Sequence, residues 1–165
     1  MSVILNGCSP VPIETYAEDL PAFEPRVFFN SELDAWGIVR DWRGRVTRRF
    51  RVDMLGTVSG DVVTLDEKFW FDDGEESTRK WTLSLLPSGA VVGQANDVIG
   101  DARGELVGNA MRMAYTIDLP VGDNQYRVRF DDMLWQIDER VLFNRAEIKK
   151  FGLRVGEVTL FMRRR

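Results

Sequence analysis

Three charged residues fall where the apolar pattern leaves no room for charge. Arg48 shares a strand face with Val46 and Phe50, Glu67 with Leu65 and Phe69, and Arg79 with Trp81. A charge taken out of water is expensive unless a partner or ligand compensates it, so each is a candidate for chemistry. If a hairpin turns at Ser59–Gly60, Val52 lies opposite Glu67 and Arg48 opposite Phe71. A turn at Asp73–Glu75 similarly pairs Glu67 with Leu83 and Phe71 with Arg79. Arg48 and Arg79 would then flank Phe71 near one end of an aromatic-lined interior, with Glu67 about two pairs deeper. Read functionally, two such guanidiniums hold a carboxylate or phosphate head group while an apolar tail lies along the interior. Read structurally, they lie at the rim, stack on Phe71 or Trp81, and pair with Glu67 inside the protein.

Other candidates carry less. Asp97 with Asp101, and Asp131-Asp132, invite a metal or acid–base reading. Neither pair sits in a calcium-loop pattern, and adjacent residues of a strand point to opposite faces. At most one of Asp131 and Asp132 can therefore serve a site, and solvated strand-end acids are the plainer reading. Gly93, Gly100, Gly104 and Gly108 lack the strand–loop–helix context of a phosphate loop and read instead as bends or close backbone approaches. The five tryptophans read as core and rim before they read as a ligand cage. There is no histidine, which removes the commonest general base. The single cysteine, Cys8, excludes an intrachain disulfide and a thiolate zinc cluster. No metal and no cofactor is expected.

Cys8 raises a different question. Leu5-Asn6-Gly7-Cys8-Ser9 resembles the end of a bacterial lipoprotein signal, where a lipid is joined to the cysteine. A working signal needs a positive start and a longer apolar stretch, and here only Val3-Ile4-Leu5 precede the site. If a signal precedes the given start, the expected location is the cell envelope, with peripheral membrane association through the N-terminus. If the given start is genuine, Cys8 is an ordinary residue of a loose tail and the protein is cytoplasmic.

The elements that must position these residues are strands. The chain of 165 residues is long enough for one domain with a sizeable core, and its 44% hydrophobic and 29% charged residues are those of a globular protein. A formal charge of −4 argues against nucleic acid as a partner. Residues 9–25, with four prolines, read as an extended arm. Beyond Phe28, turn signals recur at Trp42-Arg43-Gly44, Ser59-Gly60-Asp61, Asp72-Asp73-Gly74, Pro87-Ser88-Gly89, Ile99-Gly100-Asp101 and Gly122-Asp123-Asn124. Between them apolar and polar residues alternate, as in Met111, Met113, Tyr115, Ile117 and Leu119, or Tyr126, Val128 and Phe130. This predicts an all-β, antiparallel up-and-down barrel over residues 28–165, preceded by an arm at 1–27. Asn144-Arg145-Ala146-Glu147 fits either a capped short helix or a strand running into a turn, and Arg163-Arg164-Arg165 reads as a solvated basic tail.

Phe71-Asp72-Asp73-Gly74 with Arg79-Lys80-Trp81, Asn96-Asp97-Val98-Ile99-Gly100 with Ala102-Arg103-Gly104-Glu105, Phe130-Asp131-Asp132 with Trp135, and Asn144 through Leu160 together resemble an uncharacterised bacterial family. Its members are small, lipocalin-like proteins, many with the look of lipoproteins. The resemblance implies a calycin-type barrel and a setting in fatty-acid or membrane-lipid modification. It implies no catalytic residues.

The expectation is thus non-enzymatic binding or carriage of a hydrophobic ligand, a fatty acyl chain or membrane lipid, contacted by Arg48, Glu67, Phe71, Arg79 and Trp81. An enzyme on the same scaffold would use Glu67 or Asp97 as acid–base and an arginine as electrostatic stabiliser. A structural partner would have its barrel filled solid.

Overall fold

A strand with one apolar face must hide that face, and a sheet closed on itself hides every such face while leaving no unpaired edge. The computed structural model, which describes residues 11–165, takes this solution. Ten strands, β1 (Glu32–Asp41), β2 (Val46–Ser59), β3 (Val62–Phe71), β4 (Glu76–Leu85), β5 (Ala90–Ala95), β6 (Ala102–Val107), β7 (Ala110–Val121), β8 (Asn124–Gln136), β9 (Val141–Lys150) and β10 (Leu153–Arg164), follow one another around the barrel. Each pairs antiparallel with the next, and β1 closes on β10 from Leu33↔Arg164 to Asp41↔Gly156. Up-and-down closure is as expected, but the count is ten, where lipocalins close eight. The segment 144–147 is strand, inside β9.

The arm is not extended. It makes a 3-10 turn at Ile13–Tyr16 and a one-turn helix, α1 (Pro25–Phe28), and lies across one end of the barrel. Its three phenylalanines, Phe23, Phe28 and Phe29, meet edge to face at 5.4–6.1 Å and pack with the inner residues of the strands. Phe23 N–H donates to Gly108 O at 2.8 Å, and Arg26 pairs with Asp61 at 2.6 Å across the β2–β3 turn. This end is plugged. The hairpin turns β1–β2, β3–β4, β7–β8 and β9–β10, with the loop 96–101, form the other, open end.

Two registers differ from the sequence expectation. The β2–β3 hairpin turns at Gly60–Asp61, so Val52 faces Phe69 and Met54 faces Glu67. The β3–β4 turn centres on Asp73, with Phe71 N–H donating to Glu75 O, so Glu67 faces Arg79 rather than Leu83. Phe71 therefore faces Phe50 on β2 instead of Arg48, and has no partner in Arg79. Both shifts are even, which moves partners along the strand but leaves each side chain on its own face. Arg48, Glu67 and Arg79 do point inward.

The C-terminus is also bound rather than free. Arg165 bridges Asp34 at 2.7 Å, Glu32 at 3.0 Å and Asp53 at 3.1 Å, and holds the Asp34 carboxyl below the usual range. Of the glycine series, Gly93 and Gly104 lie where a side chain would strike Met113 or the Arg112 backbone, and Gly100 and Gly108 sit at positive φ.

Gly56 of β2 touches the plug most closely: a Cβ there would lie 1.6 Å from Phe29 O. Gly56→Ala should lower stability by about 3 kcal/mol, the upper end of overpacking costs, and lift the plug. Limited proteolysis within residues 18–30 should then become fast, whereas Gly44→Ala, with open space around it, should leave that segment protected.

Candidate functional site

Five polar side chains meet on the inner wall. Glu67 on β3 and Arg79 on β4 are direct cross-strand partners. Arg79 donates to the Asp97 carboxylate from Nε at 3.0 Å and Nη2 at 2.5 Å, Asp97 lying just beyond the end of the neighbouring strand β5. On β7 and β8, the Tyr115 hydroxyl donates to Asp132 Oδ2 at 3.1 Å. Asp97 Oδ1 and Asp132 Oδ1 are buried without a hydrogen-bond partner. Three carboxyls therefore share one guanidinium.

Burial and mutual repulsion decide their charge. Desolvation pushes Glu67 up to about 7, against the attraction of Arg79 and with the help of the Asp97 and Asp132 charges. Desolvation likewise pushes Asp132 up to about 7, against the Tyr115 hydrogen bond and Arg79. Tyr115 is raised far beyond its ordinary value by burial and by Asp132. At neutral pH the two carboxyls are divided between neutral and charged forms. A neutral carboxyl can donate as well as accept, which a carboxylate cannot.

Aromatic rings frame the cluster. Tyr115 stacks on Phe130 at 5.3 Å and meets Trp81 edge-on at 5.2 Å. Toward the mouth, Phe50, Phe69 and Phe71 form a triad at 5.4–6.0 Å, and the Arg79 guanidinium lies 5.8 Å from Phe69. The Arg48 guanidinium sits 3.6 Å over Phe71 and pairs with Asp73 at 2.7 Å and Glu75 at 2.6 Å on the rim. A hollow of about 550 Å³ lies on the outer face of β2–β4, lined by Asp53, Leu55, Asp66, Lys68, Thr78 and Lys80, and is separate from the lumen.

The inner wall is less tightly covered toward the open end. Phe50, Glu67, Phe69, Arg79, Asp132 and Leu160 face inward but are only half-buried. By contrast Leu33, Val52, Val63, Met111 and Leu142, toward the plug, are sealed.

The sequence pattern puts Glu67 and Arg79 both inside, but opposite Leu83 and Phe71, whereas they face each other; Arg48 does stack on Phe71. Trp81 belongs to the wall beside Tyr115. Asp97 was singled out as half of a pair with Asp101, yet Asp101 faces outward to Gln94 and Arg103. Asp132 is no solvated strand-end acid: it continues the inward series Val128, Phe130, a signal the alternation already carried, while Asp131 points out to Arg129 and Lys149. Tyr115 belongs by sequence to the apolar face of its strand, and only the structure brings its hydroxyl to Asp132. Cys8 lies outside the described residues. Among those described, no group of three or more acidic or cysteine side chains is arranged to hold a metal ion.

The raised acids make stability fall as pH rises. Their folded forms hold protons that the unfolded chain releases near 4, so the stabilisation is present below that value and is lost as pH climbs through about 7. Denaturant unfolding should show a loss on the order of 1–3 kcal/mol between pH 5 and pH 8. Asp132→Asn together with Glu67→Gln should flatten that slope; an unchanged slope would show that these carboxyls ionise normally. The depressed carboxyls Asp34, Asp72, Asp73, Asp118 and Asp131 act in the opposite sense, below the ordinary carboxylate range.

Comparison with known proteins adds little chemistry. None of the curated proteins matches the chain. Among solved structures, that of the ywiB protein from Bacillus subtilis matches with a TM-score of 0.38 and 14% identity, over 81% of this chain and 90% of that one. The family described as "Protein of unknown function (DUF3833)" matches residues 2–164, and to that family this chain belongs.

Proposed function

We propose that the barrel binds a hydrophobic small molecule, a fatty acyl chain or a membrane lipid, and carries it without transforming it. The observation that carries this reading is the row of half-buried, inward-facing side chains between the plug and the open rim. Ten strands enclose more room than eight, whose interior is just filled by side chains or one small ligand. The walls of that space are Phe50, Phe69, Leu160 and Val158, suited to an apolar chain.

The head group that fits is uncharged. Both inward arginines are already engaged, Arg48 by Asp73 and Glu75 and Arg79 by Asp97. An added anion would meet Glu67, Asp97 and Asp132 with no free guanidinium to offset them. A hydroxyl, ester or amide could instead exchange hydrogen bonds with the neutral carboxyls of Glu67 and Asp132. The anionic head group between two arginines is therefore the weaker version of the binding idea. An envelope setting, with Cys8 as a lipid anchor, is part of the same proposal and rests on the family resemblance.

A second reading has one observation in its favour. Two carboxyls pushed up to about 7 beside a tyrosine and an arginine are what general acid–base work needs. Turnover of a lipid, with a pH–rate profile abolished by Glu67→Gln, would select it over carriage.

Mass spectrometry of organic extracts from the purified protein should find a co-purifying lipid. Titration with fluorescent long-chain probes at pH 6 should show saturable uptake, the alcohol binding more tightly than the acid of equal length. Leu160→Trp, filling the space, should weaken uptake at least tenfold and leave the fold intact. A protein without extractable lipid and without saturable uptake of either probe would exclude carriage.

A further inference from the structure

Outside the barrel, around Glu157, the wall carries a second built cluster. Glu157 belongs to the outward face of β10, yet only 2% of it is exposed. It is covered by arginines. Arg40, its cross-strand partner on β1, bonds Oε1 through Nη2. Arg145 on β9 reaches Oε2 through Nε at 2.7 Å and Nη2 at 2.6 Å, and Arg154 approaches Oε2 at 3.4 Å. Two irregularities of register, at Val39/Arg40 and at Arg154/Gly156, lie on either side of the cluster. Such bulges re-aim side chains.

The four arginines Arg40, Arg43, Arg145 and Arg154 line a pocket of about 390 Å³ with only two carboxylates, Asp41 and Glu157. Asp41 caps its own turn, its Oδ1 accepting the N–H groups of Arg43 and Arg45, so four guanidiniums face two carboxylates. Glu157 spends both oxygens beneath the arginines. Arg145 has one further acid, Glu147 at 3.3 Å, which is shared with Lys149. Arg43 has no ion pair among the described residues; it rests on the Trp42 ring at 4.6 Å. Arg40 Nε is buried with no partner. Positive charge is therefore left over in a concave site, on guanidiniums that one buried carboxylate already holds in place.

We propose that this pocket binds a phosphate group, carried either by a lipid head group or by a soluble phosphorylated molecule. Guanidinium forks suit phosphate because several can meet its oxygens from different directions. A carboxylate offers one planar pair of oxygens, and Glu157 already supplies that part. The pocket opens beside Trp42 on the β1–β2 turn, at the mouth of the barrel. A lipid source would bring its head group next to exposed Trp42 and Phe151, apolar rings of the same rim.

The alternative is a knot of ion pairs that merely ties β1, β9 and β10 together. Arg43 separates the two, since it lines the pocket without touching Glu157. Inorganic pyrophosphate, titrated into the full chain by calorimetry at low salt, should bind saturably, and more weakly as salt is raised. Arg43→Ala and Arg154→Ala should each weaken binding about tenfold while leaving the melting temperature unchanged within a few degrees. If Arg154→Ala unfolds the chain, Arg43→Ala alone decides. Sedimentation with vesicles of phosphatidylcholine containing phosphatidylglycerol, against phosphatidylcholine alone, distinguishes the sources. Arg43-dependent capture by the anionic vesicles assigns a lipid head group, and Arg43-dependent pyrophosphate binding without vesicle capture assigns a soluble ligand. Binding of neither probe, or binding that Arg43→Ala leaves untouched, would overturn the proposal.

Discussion

The pairing of β1 with β10 governs everything else in this molecule. Without it the ten strands would be an open sheet with two unpaired edges and an apolar face in water. With it, inside and outside become fixed properties of every side chain, set by parity alone. A charged residue of inward parity then cannot escape to solvent by rotating around an edge. It must find a partner on the inner wall or lose its charge. Arg79 takes the first course with Asp97, and Glu67 and Asp132 take the second in part.

Closure also explains why the two ends differ. The turns at one end are short, and the arm folds back over them so that Phe23, Phe28 and Phe29 complete the core. At the other end the turns carry charged residues, as at Asp72, Asp73 and Glu75, and the 96–101 loop turns inward through Asp97 and Val98. The lumen is therefore graded. It is sealed at Leu33 and Leu142, polar at Glu67 and Asp132, and ringed by phenylalanines near the rim. The polar belt thus lies part-way down an otherwise apolar tube.

The sequence carried the face of each residue better than its neighbours. Alternation placed Arg48, Glu67 and Arg79 inward, and they are inward, because parity survives any even error in register. Pairing did not survive: whether a hairpin turns on Ser59–Gly60 or on Gly60–Asp61 is settled by backbone twist and turn geometry. Asp132 could have been read from the strand that holds Val128 and Phe130, but Asp131 beside it suggested a solvated pair. Glu157 left no comparable trace. It lies on the outward face, where charge is ordinary, and only the three-dimensional meeting of β1, β9 and β10 buries it. The arm misled for a related reason, since prolines describe local chain shape and say nothing of the surface the chain packs on.

The two charged sites follow from the same constraint in opposite ways. Inside, the walls exclude water, so like charges repel strongly and carboxyls relax by holding protons. Outside, water screens repulsion, so arginines can gather around one carboxylate without giving up charge. Protonation cannot relieve crowding among guanidiniums, because they stay charged throughout the accessible pH range. An excess of carboxyls thus becomes a neutral hydrogen-bonding surface, while an excess of arginines stays a field that an anion can satisfy. The net charge of −4 hides both, since it averages over a lumen rich in acids and a rim pocket rich in arginine.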